Sequence, residues 1–295
     1  MKIGYPCINK CIGCTANSKF RLVNYSEKRL IETIKNNLNC LLRILNYNAE
    51  NNILFFRISS DIIPFASHSI NTFDWIKYFK KELGEIGDFI KNQGMRISMH
   101  PSQFVLINAL DKKIINKSIL DLEWHSKLLD SMSLDESAKV QIHVGGIYGD
   151  KDKAITRFIK QYSKLDQSIK RRLVIENDDR LFSLQDCLKI NKTVGIPIIF
   201  DNFHHECLNN GESLKDALIL AAKTWKNKDG LLMCDYSSQE LGERRGKHTQ
   251  SIDMVKFTKY LKDLEGLDFD IMLEIKDKEP SALKAIDIAK NLRRI

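Results

Sequence analysis

Eight short apolar runs, at residues 2–5, 53–58, 96–99, 140–144, 173–175, 197–200, 231–234 and 270–273, punctuate the sequence, and a longer amphipathic stretch follows each. Short runs rich in β-branched and aromatic residues read as buried strands. Apolar residues three and four apart read as helices with one face on a core. In the first helix that face is Leu30, Ile31, Ile34, Leu38, Leu41, Leu42 and Leu45, behind an N-cap at Ser26. Similar patterns cover 73–90, which Gly94 stops, and 114–132, 154–169, 184–194, 214–225, 252–264 and 282–292. Ser183, Ser213, Ser251 and Ser281 stand at the expected N-caps. Strand–helix alternation builds parallel sheet, and eight rounds of it predict an α/β fold, a single closed (β/α)8 TIM barrel over 1–295. An open doubly wound sheet is the alternative. It wants a glycine-rich phosphate loop after the first strand, yet Gly13 is the only glycine between Tyr5 and Gly84.

Nothing in the chain reads as a linker, a low-complexity tract, an internal repeat or an apolar run of membrane-span length. Lys plus Arg number 46 against 38 for Asp plus Glu, a net charge of +8. That excess suits a polyanionic partner and equally a generic Lys-rich surface. The seven cysteines are odd in number and follow no signal-like leader, which predicts free thiols in a reducing cytoplasm.

In such a barrel the chemistry sits at the C-terminal ends of the strands. Asp201 and His204 follow the sixth apolar run, close enough to reach one divalent ion. The same pattern recurs. Tyr5 and Asn9 follow the first run, and Arg57, Ser59, Ser60, Asp61 and His68 the second. His100 ends the third, His143 the fourth, Glu176 the fifth and Asp235 the seventh; Glu274, Lys276 and Lys278 follow the eighth. His68, His100, His143, His204, Glu176, Asp201, Asp235 and Glu274 thus form a ring of candidate ligands. Clustered carboxylates repel one another without cations, and this donor set suits several Mn²⁺, Zn²⁺ or Mg²⁺ ions. His125 reads as a helix-packing residue and His248 as part of a basic loop away from the ring.

These residues resemble the ultraviolet damage endonucleases, which share their barrel type with endonuclease IV and the xylose isomerases. The resemblance rests on Gly4-Tyr5-Pro6-Cys7-Ile8-Asn9, Arg57-Ile58-Ser59-Ser60-Asp61, Pro64-Phe65-Ala66-Ser67-His68 and Ser98-Met99-His100-Pro101-Ser102-Gln103. It continues through Gln141-Ile142-His143-Val144-Gly145-Gly146, Glu176-Asn177-Asp178, Asp201-Asn202-Phe203-His204-His205 and Met272-Leu273-Glu274-Ile275-Lys276-Asp277-Lys278. It implies ATP-independent incision of damaged double-stranded DNA immediately 5′ to cyclobutane pyrimidine dimers and 6-4 photoproducts, leaving a 3′-hydroxyl. By resemblance His68, His100, His143, Glu176, Asp201, His204 and Glu274 fall on metal-ligand positions. Glu176, Glu274, His143 and Asp201 are the expected catalytic set. Gln103 and Phe104 fall where the duplex is entered opposite the lesion, and Tyr5 and Asn9 near the damaged bases; Lys247 and Lys276 are further expected DNA contacts. The chain is expected to act as a cytoplasmic monomer, with no nucleotide cofactor and no membrane.

The chain departs from the family's pattern in three places. Met233-Cys234-Asp235 stands where a Lys-x-His pair is expected, and a carboxylate there makes Mn²⁺ the favoured ion. Phe104 stands where a tyrosine is frequent. Cys7, Cys11 and Cys14 have the spacing of the iron–sulfur motif of radical S-adenosylmethionine enzymes, a rival that leaves the acid/His ring unexplained. A sugar isomerase and a non-catalytic damage-binding protein are two further rivals.

Overall fold

The computed structural model describes all residues, 1–295. Eight parallel strands pair in sequence order and close on themselves, β1 with β8, so the open-sheet alternative is excluded. The strands are β1 (Ile3–Pro6), β2 (Phe55–Ile58), β3 (Arg96–Met99), β4 (Lys139–His143), β5 (Leu173–Glu176), β6 (Ile198–Asp201), β7 (Met233–Tyr236) and β8 (Asp270–Leu273). Several extend a residue or two further towards the rim than the apolar runs indicate. Polar residues such as His143, Glu176, Asp201 and Asp235 are themselves in the strands. Apolar patterning marks where a strand is greasy, not where its hydrogen bonding ends.

The outer layer is α1 (Glu27–Glu50), α2 (Trp75–Tyr78), α3 (Lys80–Asn92), α4 (Lys112–Ser131), α5 (Lys151–Lys164), α6 (Gln167–Lys170), α7 (Leu184–Val194), α8 (Asn202–Cys207), α9 (Leu214–Ala222), α10 (Met254–Asp263) and α11 (Glu279–Asn291). Ser26 caps α1 by accepting from the Arg29 amide, and Ser213 caps α9. Ser251 and Ser281 do not cap. Asp253 accepts from the Val255 and Lys256 amides at the start of α10. α11 starts three residues earlier than expected, with Pro280 in its first turn, so Ser281 lies inside it and accepts from the Ile252 amide instead. The single helices expected over 73–90 and 154–169 are each broken in two, at Phe79 and at Leu165-Asp166.

Side chains fill the barrel in layers. At the N-terminal end Arg96 pairs with Asp270 at 2.9 Å and Lys139 with Asp229, all buried, with both cations beside the Trp225 ring. Above them Phe55, Val174, Ile199, Met233 and Met272 form a dry layer. Met233 therefore packs beneath the site. Its thioether fills space in an apolar layer, where a lysine would need its own partner.

The cysteine expectation is corrected. Cys14 and Cys40 form a disulfide, tying the β1–α1 loop to α1, with Cα atoms 6.0 Å apart. Cys7, Cys11, Cys187, Cys207 and Cys234 are free. The disulfide removes Cys14 from the iron–sulfur triad, and that reading falls. No helix is long and apolar enough to cross a membrane.

Candidate active site

The C-terminal rim gathers its acids and imidazoles around Glu176, buried at the end of β5. Its two carboxylate oxygens face different partners. Oε2 lies 3.2 Å from His100 Nε2 and 3.8 Å from His143 Nε2; Oε1 lies 3.1 Å from His204 Nδ1. Two compact groups result, His100–His143–Glu176 and Glu176–Asp201–His204, each with ligand atoms within 4.8 Å of one another. Glu176 is common to both.

Backbone and neighbours hold these side chains in place. Asn177 Nδ2 donates to the Asp201 carbonyl at 2.9 Å and its Oδ1 accepts from the Asp201 amide at 3.0 Å, locking the ends of β5 and β6 together. Asp201 Oδ1 caps α8 by accepting from the His204 amide at 2.7 Å, which fixes Asp201 and His204 on one side. Ser60 Oγ donates to the His100 carbonyl at 2.8 Å and lies 2.9 Å from His125 Nε2, so His125 is buried on α4 as a packing residue, as expected, and also supports the site through Ser60. After β4, Gly145 has φ +114°, and a Cβ there would overlap the Asn108 carboxamide, whose Nδ2 donates to the Gly146 carbonyl. Glycine is required for the chain to turn so sharply beside His143.

The electrostatics suit cations. Burial pushes the Asp201 carboxyl well above the usual range, and Glu176, Glu274 and Asp235 add to the shift against the pull of His204. Burial also acts on Glu176, but His143, His100 and His204 outweigh it and hold its carboxyl well below the usual range. Burial opposes a charged His204, yet Asp201 and Glu176 raise it to about 12. Asp201 Oδ2 and His143 Nδ1 are buried without a hydrogen-bond partner. Such groups are rare unless something absent from the polypeptide satisfies them. The donor set, carboxylate oxygens and imidazole nitrogens, fits divalent metals.

The rest of the expected ring is distributed differently. Asp235 and Glu274 both contact Arg57, buried at the end of β2. Burial works to raise the Glu274 carboxyl, but Arg57 outweighs it and holds Glu274 down to about 2. Burial, Glu274 and Glu176 nevertheless push Asp235 up to about 7 against the same guanidinium. His68 is exposed in the β2–α2 loop, and its Nδ1 accepts from the Ile70 amide at 3.0 Å. The placing of His248 away from the ring is corrected. It lies on the rim with its imidazole 6.2 Å from that of His204 and its Nδ1 2.9 Å from the Glu274 carbonyl. The long β7–α10 loop folds back across β8, a return that local patterning does not reveal.

Around this centre, Gln103 and Phe104 project from the β3–α4 loop, Phe104 with 74% of its surface exposed. Tyr5 and Asn9 are buried beneath the rim, where Asn9 Nδ2 donates to the Tyr5 hydroxyl at 2.8 Å and that hydroxyl donates to Asn48 Oδ1 at 2.7 Å. Lys276 is half-buried, and Lys247 is paired with Glu243. Leu241, which sequence patterning did not single out, is 88% exposed at the tip of the β7–α10 loop, beside exposed Arg244 and Arg245. Of the other basic clusters, Arg172 is buried against Asp130 at the opposite end of the barrel and is structural.

The family model for UV-endonuclease UvdE matches residues 4–295. The chain belongs to the UV-endonuclease family. A UV DNA damage endonuclease of Clostridium perfringens (strain 13 / Type A) is 44% identical over 296 residues, covering 100% of this chain and 72% of its own length. The crystal structure of SacUVDE superposes with a TM-score of 0.96 at 46% identity, covering 100% of both chains. Endonuclease IV from Thermus thermophilus shares the fold, with a TM-score of 0.59 at 13% identity over 86% of this chain and 95% of its own. The chain is thus a DNA repair endonuclease, and the isomerase and binding-only readings give way to that family membership.

Proposed function

We propose that the enzyme cuts one strand immediately 5′ to cyclobutane pyrimidine dimers, 6-4 photoproducts and other distorting lesions, without ATP, leaving a 3′-hydroxyl. The observation that carries the reading is the pair of ligand groups joined through Glu176 at the barrel's C-terminal rim. Bound divalent ions, Mn²⁺ foremost, would supply charge neutralisation for the phosphodiester and an activated water at neutral pH. His100 and His143 would hold one side of the centre, and Asp201 and His204 the other. Glu274, paired with Arg57, would orient the attacking water. His68 and Asp235 belong to the expected ligand ring, but their present contacts favour roles outside the two groups.

The duplex would lie across the same rim. A photoproduct weakens stacking and pairing, so turning it out of the helix costs less than turning out normal bases. Exposed Phe104, with Gln103 beside it, would fill the space left behind. Burial of Tyr5 and Asn9 suits a supporting role under the lesion pocket. Lys247 and Lys276, on the loops after β7 and β8, would meet the DNA backbone. The whole of 1–295 would act as one catalytic domain, as a cytoplasmic monomer. Ultraviolet-irradiated supercoiled plasmid tests the reading: incubation with Mn²⁺ should relax it, and neither unirradiated plasmid nor a reaction with chelator should relax. Mapping the new ends on a defined dimer-containing duplex places the cut. Equal relaxation of both plasmids, or relaxation in chelator, would overturn the proposal.

A further inference from the structure

We propose that Arg57 is a resident cation of the metal centre, standing between Asp235 and Glu274 and limiting the site to two exchangeable ions, which the two groups sharing Glu176 would hold. The inference rests on reading the two ligand groups as metal sites. Sequence alone places four carboxylates and four imidazoles on one rim and gives no reason for any to be excluded. The geometry divides them. Arg57 Nη2 donates to both Asp235 oxygens, at 2.7 and 2.8 Å, and to Gln141 Oε1 at 2.8 Å, while Nη1 donates to Glu274. Gln141 completes the link, its Nε2 donating to Asp235 Oδ2 and to Glu176 Oε2, both at 2.6 Å.

A guanidinium is always charged and presents its donors in a rigid planar fork, so it does for this pair of acids what an ion would do, without exchanging. An incoming divalent ion would meet like charge at contact distance, with both Asp235 oxygens and Glu274 Oε1 already occupied. One guanidinium and two divalent ions nearly balance four carboxylates, and the small positive excess suits a phosphodiester anion. Through Gln141 the same side chain also orients the carboxylate that faces both ligand groups. Arg57 is therefore a positioning residue whose first effect is on ion number.

Metal counting tests this directly. Chelator-stripped protein is dialysed against Mn²⁺ and the bound metal measured by mass spectrometry. Wild type should hold two ions per chain. Arg57→Met, of similar length but uncharged, frees Asp235 and Glu274 and should hold three; adding Asp235→Asn to it should restore two. Asp235→Asn alone, which keeps Arg57, should hold two with unchanged affinity and keeps the question answerable if Arg57→Met does not fold. Three ions in wild type, no gain in a folded Arg57→Met, or a lost ion in Asp235→Asn would each overturn the assignment. Wild type binding no Mn²⁺ would instead sink the reading of the two groups as metal sites, and this inference with it.

Discussion

Asp201 Oδ2 lies 3.5 Å from His204 Nδ1 and accepts no hydrogen bond, although the Asp201 side chain is fully buried. Its other oxygen caps α8, so the side chain cannot swing away to find a partner. A buried carboxylate beside other acids is unfavourable until a cation arrives. We predict that Asp201→Asn, which keeps a capping oxygen, stabilises the metal-free protein and weakens Mn²⁺ binding by about 10- to 100-fold or more, the range set even by groups that only support a ligand. Thermal denaturation with and without Mn²⁺ checks both halves. If Mn²⁺ raises the melting temperature of the variant as much as that of wild type, Asp201 is not a ligand.

Glu176 makes the opposite case, a carboxylate with partners on every side. Its neighbours are the imidazoles His100, His143 and His204 and the Gln141 amide. Glu176→Gln should abolish incision while leaving binding to a damaged duplex largely intact, because the exposed loops that would hold DNA lie apart from it. Gel-shift and nicking assays on one dimer-containing duplex separate the two effects. Normal turnover by the variant after Mn²⁺ reconstitution would remove Glu176 from the catalytic centre.

The barrel was legible because strand and helix periodicities differ, and eight alternations leave few topologies. β3 and β8 match their apolar runs residue for residue. The candidate ligands His100, His143, Glu176, Asp201 and His204 were legible because each ends a strand or follows one closely. The role of Arg57 was not. It sits at a rim position, but pairing with β7 and β8 depends on the barrel's closure, across 178 residues to Asp235. His248 escaped for the same reason, since its loop must fold back over β8 before the ring reaches His204. The Cys14–Cys40 bond likewise needed the distance between a loop and a helix, which spacing cannot supply.

Phe104 carries the largest exposed aromatic surface on the rim, and nothing in the free protein repays that exposure. A side chain that fills space in an opened helix should matter only when the helix opens. Phe104→Ala is expected to weaken binding to a damaged duplex by about 1–3 kcal/mol, the range for stacking a base on an aromatic ring, and to leave undamaged binding nearly unchanged. Fluorescence anisotropy with matched duplexes reads the difference. Equal losses on both would make Phe104 a general contact.

The acid limb of stability has a local source beside the site, at the start of α7. Asp186 forms the capping box of α7 with Ser183 and pairs with Lys151 on α5 at 2.9 Å. Burial raises its carboxyl, but Lys151, the Ser183 amide and Lys189 prevail and hold it below the ordinary value. A carboxyl lowered in the folded state contributes stability at pH above its unfolded value, near 3.9. That contribution is lost as pH falls through the folded value, because protonation then favours the unfolded chain. Asp186→Asn should therefore cost about 0.3–1 kcal/mol at pH 7, the range for a carboxylate in the first turn of a helix, with the deficit shrinking steadily below pH 4. The effect should reach the active site as well as the fold, since Cys187 on the same helix turn donates its thiol to the Glu176 carbonyl at 3.6 Å. Denaturant melts of both proteins at pH 7 and at pH 3 measure the deficit. A difference that does not change between the two pH values would mean that the charge of Asp186 contributes nothing and that only its shape matters to the cap.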